Sequence, residues 1–182
     1  MIMALLIQIS CRKRTGKTTF ANMLIPQFEK SGFKTIHTSF VEPARKYVAK
    51  VFPDCPDTDE NKDEYREKMI AICKATLDID ELAFTKSLVE LVKNTPDDTI
   101  IFAPDLRRRC EYDYVQEQLV DESITIRIDR GEIPKENSFG EGDMDDDNLY
   151  DMIIDNNGTL EELNLRSQIV YQELMTVYKE NT

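Results

Sequence analysis

A single histidine, His37, stands in the 182-residue chain. A Ser-His-Asp or Cys-His catalytic site would have to use it. It follows Lys34, Thr35 and Ile36 in a strand-like run, where a half-buried structural imidazole is the expectation, so hydrolase chemistry of that kind is set aside. Cysteine is equally unhelpful: Cys11, Cys55, Cys73 and Cys110 lie far apart without a C-x-x-C pair, and a zinc site is not expected. Scattered thiols of this kind suit a reducing, cytoplasmic setting. No apolar run approaches the ~20 residues of a membrane span. Residues 1–9 are apolar but short, lack a basic n-region and run straight into a basic loop, so a signal peptide is not expected either. Basic charge is scarce overall. With 23 Lys+Arg against 35 Asp+Glu, a net of −12, the chain is not expected to bind nucleic acid non-specifically.

What is present suits one globular domain, 1–182. There is no internal repeat and no linker, hydrophobic residues make up 41%, and a chain this long buries roughly 70% of its unfolded surface. The charge is unevenly spread. Residues 1–128 hold 19 Lys+Arg against 21 Asp+Glu, whereas 129–182 hold 4 against 14. The basic side chains of the first part must therefore meet whatever anionic ligand is bound. The acidic excess is densest at Asp143, Asp145, Asp146 and Asp147, without the central Gly and final Glu of an EF-hand, and reads as a solvated loop.

Along the chain, apolar strand-like runs alternate with helical periods. Strands are predicted at 4–9, 33–39, 99–103, 124–128 and 150–154. Helices are predicted at 18–30, 43–52, 62–75, 81–93 and 111–119. A C-terminal helix follows Thr159, whose pairing with Glu162 three residues on has the form of a capping box. Residues 53–60 read as a Pro/Asp loop and 129–148 as a mobile, lid-like loop. Repeated strand–helix alternation implies a mainly parallel five-stranded sheet with helices on both faces. Ligands bind such sheets at the carboxyl ends of the strands. The segment 53–95 is expected to be a helical insertion within the domain.

The first strand runs into Ser10-Cys11-Arg12-Lys13-Arg14-Thr15-Gly16-Lys17-Thr18-Thr19, and a helix starts at once. Strand, loop and helix around Gly-Lys-Thr is the Walker A context. Gly16 lets backbone N–H groups turn inward and the helix N-terminus adds its dipole. Lys17 would reach the β- and γ-phosphates, and the Thr18 hydroxyl would bind Mg²⁺. Four cations within six residues, Arg12, Lys13, Arg14 and Lys17, would repel one another without an anion between them. Asp105, ending a third strand, stands where a Walker B or acceptor-orienting carboxylate belongs. Arg107, Arg108 and Arg109 lie just beyond it, and planar guanidinium groups suit an acceptor phosphate. Not all three can point one way. Arg127, inside the fourth strand, either reaches donor phosphates across the sheet edge or forms the polar face of an outer strand.

Ser10–Thr18 resembles the S-G-x-x-R-S-G-K-D loop of phage-type deoxynucleoside monophosphate kinases and of animal phosphomevalonate kinases, which share one fold. Phe40-Val41-Glu42-Pro43-Ala44-Arg45 is similar to their F-A-x-P-L-K segment, Lys62-Asp63-Glu64-Tyr65-Arg66 to their K-x-x-[FY]-R, and Asp105-Leu106-Arg107 to their D-x-R. Asp151–Leu163 resembles the D-x-x-I-x-N-[DN]-G-[ST]-L-E-E-L ending of the deoxynucleotide kinases. The matches come in the family's order and span nearly the whole chain. Four features depart: Cys11 replaces Gly, Thr18 replaces Asp, Leu77 stands at an Arg position of the phosphomevalonate enzymes, and 129–148 contains only Arg130 and Lys135 as cations.

The resemblance implies a three-layer P-loop fold and an ATP-dependent phosphotransferase acting on a small phosphorylated acceptor, foremost a (deoxy)nucleoside monophosphate. ATP would sit on Arg12, Lys13, Thr15, Gly16, Lys17, Thr18 and Thr19, with Arg127 and Asn156. Thr18 and Asp105 would serve Mg²⁺. Lys17, Arg14, Asp105 and Arg107 would be catalytic, and Arg45, Lys62, Arg66, Arg107 and Arg108 would hold the acceptor. Phosphomevalonate is the alternative acceptor, supported by the 57–92 stretch. A third reading, a degenerate nucleotide-binding protein without catalysis, is motivated by Cys11, Leu77 and the Arg-poor loop.

Overall fold

The computed structural model describes residues 4–10, 15–131 and 144–180. The chain runs β1 (Leu5–Ser10), α1 (Lys17–Lys30), β2 (Lys34–His37), α2 (Glu42–Val51), α3 (Lys62–Ile79), α4 (Ala83–Lys93), β3 (Thr99–Leu106), α5 (Arg109–Gln118), β4 (Ser123–Asp129), β5 (Met152–Asp155) and α6 (Leu160–Glu180). The strands form one sheet in the order β2-β3-β1-β4-β5, and every pairing is parallel. The chain crosses from β3 to β4 over β1, so the switch in strand order falls at the carboxyl end of β1, where ligand crevices form in such sheets.

Strand alternation divides the core in two. Ile7, Ile9, Ile100, Phe102, Ile126 and Ile128 face α1 and α6, meeting Phe20, Leu24, Phe28, Leu163 and Leu174. Leu6, Ile101 and Ala103 face the other way, toward Leu88, Val89 and Val92 of α4 and Val115 of α5. Burial on both faces explains why the central strands read as continuous apolar runs. Phe28 is the hub of the first layer. Phe33, Phe102 and Tyr171 meet it edge-on at 6.0, 5.9 and 5.1 Å, each pair adding about 0.5–1.5 kcal/mol beyond area burial. The capping box of α6 is formed, with Glu162 N–H donating to Thr159 Oγ1 at 3.2 Å and Thr159 N–H donating to the Glu162 carboxylate at 2.7 Å.

Three expectations are corrected. The segment 53–95 is not one insertion: α4 packs its apolar stripe on the sheet, while α3, with Tyr65 as its one buried residue, pairs with α2 around a small separate cluster of Val48, Cys55 and Tyr65. His37 is exposed, because β2 is an edge strand. The lid-like stretch 129–148 is anchored at its end, where Met144 and nearby Leu149 are buried against the second core. Residues 132–143 of that stretch lie outside the described residues.

Candidate phosphate-binding cleft

At the switch point, α1 begins directly at the phosphate-loop sequence. Gly16 is its N-cap, at φ +98° and ψ 15°, and no acidic residue lies in the first turn to neutralise the helix dipole. Two constraints make glycine necessary here. The left-handed φ costs an L-residue roughly 1–2 kcal/mol, and an added Cβ would come within 2.6 Å of Asn156 Nδ2. Asn156 is placed there because its amide donates to the Thr15 carbonyl at 2.7 Å, while its own N–H donates to the Asp129 carbonyl at 2.5 Å. It is buried, at 8% exposure. Asn156 thus supports the loop from behind, a role different from the expected contact with nucleotide. Thr15 and Lys17 are buried, whereas Thr18 and Thr19 are exposed at the mouth. Thr15–Thr19 and Arg130 line a cavity of about 320 Å³. Arg130 stands just past β4, and its place in this wall is not marked by any sequence pattern. Cys11, Arg12, Lys13 and Arg14 lie outside the described residues.

The opposite rim is built on a defect in β3. Gln8 pairs with Ala103 and Ser10 with Leu106, so three steps of β3 face two of β1. Pro104 stands in this bulge, lacking the N–H that a regular ladder would use. The bulge turns Asp105 toward the β2–α2 connection, where its Oδ1 accepts from the Phe40 N–H at 3.0 Å. Burial pushes the Asp105 carboxyl up to about 6. The Phe40 N–H pulls the other way, Glu111 adds to the rise, and Arg107 and Arg45 oppose it. The charged groups that act most strongly on Asp105, Glu111, Arg107 and Arg45, thus lie on the α2, β3 and α5 side of the cleft.

The three arginines after β3 part company. Arg108 is buried, with Nε on Glu111 Oε1 at 2.8 Å and Nη2 on the Glu81 carbonyl at 2.6 Å. Its expected acceptor role is corrected: it caps α5 and ties α4 to it. Arg109 is exposed and pairs with Asp113 at 2.6 Å. Arg107 spends only its backbone N–H on Glu111, at 3.3 Å, and its side chain makes no ion pair among the described residues. Arg45 faces Asp57 at 3.1 Å, and Lys62 and Arg66 are exposed on the first turns of α3. Beside this rim lies a cavity of about 230 Å³ between α2 and α4, walled by Phe40, Pro43, Leu88 and Leu91 and polar at Thr38, Ser39 and Ser87. Ser39 Oγ is buried without a hydrogen-bond partner. No sequence pattern marks Ser39, since its significance arises only from a neighbouring helix.

Arg127 sits opposite Ser10 in the β4–β1 register, on the strand face away from α1. Its Nη1 lies 2.7 Å from Asp147 Oδ1, and its guanidinium stands over the Tyr150 ring at 5.7 Å. Arg127 is thus turned toward carboxylates and a tyrosine of its own chain, beside the end of β1.

For Mg²⁺, the described residues contain no group of three His, Cys, Asp or Glu side chains able to hold an ion. The exposed Thr18 hydroxyl fits the usual case in which the ion keeps waters and phosphate oxygens as its other ligands. The residues present therefore fit a Mg²⁺ ion arriving with a nucleotide.

The parallel sheet, its order and the glycine-hinged helix start define a three-layer α/β P-loop fold. No protein-family model and no curated protein matches the chain. Among solved structures, it is similar to the Mycobacterium tuberculosis APS kinase CysC in complex with AMPPNP and APS, at TM-score 0.51 and 8% identity, covering 97% of this chain and 98% of that one. A gluconokinase from Sinorhizobium meliloti 1021 is similar at TM-score 0.52 and 10% identity, covering 100% and 99%. At these identities the likeness concerns the fold. No helix among the described residues is long and apolar enough to cross a membrane.

Proposed function

We propose that this chain is an ATP-dependent phosphotransferase that moves the γ-phosphoryl group of ATP to a small phosphorylated acceptor, foremost a (deoxy)nucleoside monophosphate. The observation that carries the reading is the opposition of two rims across one sheet edge. On one side is the Gly16–Lys17 start of α1, with its uncompensated dipole and 320 Å³ cavity. On the other is Asp105 with the unpaired Arg107 beside it. The kinase identity of the structural neighbours agrees with this reading.

In the proposed reaction the bond between the γ-phosphorus and the β–γ bridging oxygen breaks, a new bond forms to an acceptor phosphate oxygen, and ADP leaves. Such transfer asks little covalent chemistry of the protein, and positioning and charge neutralisation carry the rate. Lys17 supplies charge to the β- and γ-phosphates and the first-turn N–H groups of α1 cradle them. Thr18 would hold a Mg²⁺ ion, which would screen phosphate charge when bound. Arg107 and the exposed cations Arg45, Lys62 and Arg66 receive the acceptor phosphate. Asp105, held by the Phe40 N–H, orients the acceptor, since the charged groups that act on it most lie on that rim. The cavity at Ser39 offers the acceptor's non-phosphate part a polar floor and apolar walls.

The test is an acceptor panel of deoxynucleoside monophosphates, nucleoside monophosphates and phosphomevalonate, assayed with MgATP for ADP release. Transfer to a nucleotide supports the reading, and transfer to phosphomevalonate alone moves the assignment to that acceptor. Tight ATP binding with transfer to none favours a non-catalytic nucleotide-binding protein. The commitment of Arg108 and Arg127 to internal carboxylates is the observation behind that second reading.

A further inference from the structure

At the end of the lid-like stretch and before β5, residues 144–150 fold back over the carboxyl edge of the sheet. Met144 and Leu149 are buried, so the segment is anchored at both ends, and Asp145, Asp146 and Asp147 form the exposed hump between them. Asp146 stiffens the hump by accepting the Asn148 N–H at 3.0 Å. Tyr150 pins the segment to β1: its hydroxyl lies 3.3 Å from Ser10 Oγ and 2.5 Å from the Met144 carbonyl. Ser10 is the last residue before the phosphate loop.

Arg127 is held in this frame by unequal grips. Its side chain is 19% exposed and its partner Asp147 is 71% exposed. Asp129 is a second carboxylate at 3.9 Å, and the Asp145 carbonyl lies at 3.5 Å. The Tyr150 ring orients the guanidinium from a half-buried position, whereas Asp147 contributes a charge from a solvated one. A pair with one solvated partner is weak, worth a few-fold at most in an equilibrium constant. A phosphate dianion presents more charge and more acceptor oxygens than a carboxylate, and guanidinium suits it bidentately.

Resting on the phosphotransferase reading, we infer that Asp147 is a built-in counter-anion for Arg127, exchanged for the terminal phosphates of the bound nucleoside triphosphate. Tyr150 keeps the arginine aimed during the exchange. The acidic hump then lowers triphosphate affinity and prevents an idle arginine from facing the cleft uncompensated.

The experiment is isothermal titration of ATP and of adenosine into the full chain, its Asp147→Asn variant and a remote charge control, Glu173→Gln on α6. Asp147→Asn is expected to tighten ATP about two- to fivefold, to leave adenosine unchanged, and to lose its advantage in high salt as screening lengths shorten. Adding Arg127→Gln to the parent and to the Asp147→Asn variant should erase the difference between them. Unchanged or weaker ATP binding in Asp147→Asn overturns the exchange, as does equal tightening by Glu173→Gln, which would reduce the effect to net charge. A parent chain that binds no ATP overturns the phosphotransferase reading and the exchange together, whereas a parent that binds ATP isolates the exchange.

Discussion

The two rims of the cleft are built in opposite ways. The proposed donor rim is held by short, buried hydrogen bonds that cross long stretches of sequence: Asn156 to Thr15, and Asn156 to Asp129. The proposed acceptor rim carries its charges on α2 and α3, a helix pair with a core of Val48, Cys55 and Tyr65, and its ion pair Arg45–Asp57 is half exposed on both sides. Phosphates of a common donor can be met by a preformed backbone cradle, which loses little entropy on binding. An acceptor must be admitted, gripped and released, and weakly held cations on a lightly packed helix pair suit that cycle. Between the rims, Asp105 belongs to the rigid sheet yet points to the lightly packed side.

The sharpest break of this contrast is Lys17→Ala. It removes the charge proposed to meet the β- and γ-phosphates, so turnover should fall about 10³-fold and ATP affinity should drop while the chain still folds. Calorimetry and ADP-release assays read both, and equal ATP affinity in variant and parent would remove the donor assignment.

Neighbouring arginines then separate structure from function. Arg108→Ala leaves the buried Glu111 without its charge partner, holding only the backbone N–H groups of residues 107 and 108, and should cost about 3 kcal/mol of stability in denaturant melts. Arg107→Ala should leave stability within about 0.5 kcal/mol but lower kcat/KM for the acceptor roughly 10- to 150-fold, with ATP affinity unchanged. Lys at 107 should rescue little, since it lacks the planar fork. If Arg107→Ala weakens ATP instead, the rim assignment is reversed.

Gly16→Ala probes the donor cradle itself. The left-handed φ contributes about 1–2 kcal/mol and displacement of the Asn156 amide about 1 more, so chemical denaturation should show a loss near 2–3 kcal/mol. Asn156→Ala opens space beside Gly16, and the double variant should lose less than the sum of the singles. Strict additivity would mean that the two residues are not in contact.

The last expected effect is on Asp105 and its size depends on pH. Its folded pKa of about 6 lies above the ordinary value near 3.9. Between those values the unfolded chain releases the proton first, so this group makes stability fall as pH rises through about 4 to 6. Asp105→Asn keeps an oxygen for the Phe40 N–H and carries no charge. It should equal the parent below pH 4 and exceed it above pH 6 by no more than about 3 kcal/mol, while losing acceptor turnover. Identical melting profiles from pH 4 to 7 would mean that burial of this carboxyl costs nothing.

The strand, turn and helix that build the proposed donor rim were legible in the sequence, because their signals are local. An apolar strand, a Gly-Lys-Thr turn and an amphipathic helix follow one another within 30 residues, and each is specified by steric and hydrogen-bonding rules acting between near neighbours. The capping box at Thr159 and the parallel five-stranded architecture were legible for the same reason. What tertiary structure alone decided are the contacts between distant residues. Arg107 and Arg108 are identical neighbours in sequence, and only the packing of α4 on the sheet, which brings the Glu81 carbonyl within 2.6 Å of one of them, makes the second a structural residue. Asn156 sits in a motif that the sequence associates with nucleotide, yet it is 141 residues from Thr15 in sequence and meets its carbonyl only because β5 closes the sheet edge beside β4. Helix α4 has the same local periodicity as an inserted helix. Which apolar stripe finds the sheet is settled by the competition for buried area across the whole chain, a quantity that no local window of residues contains.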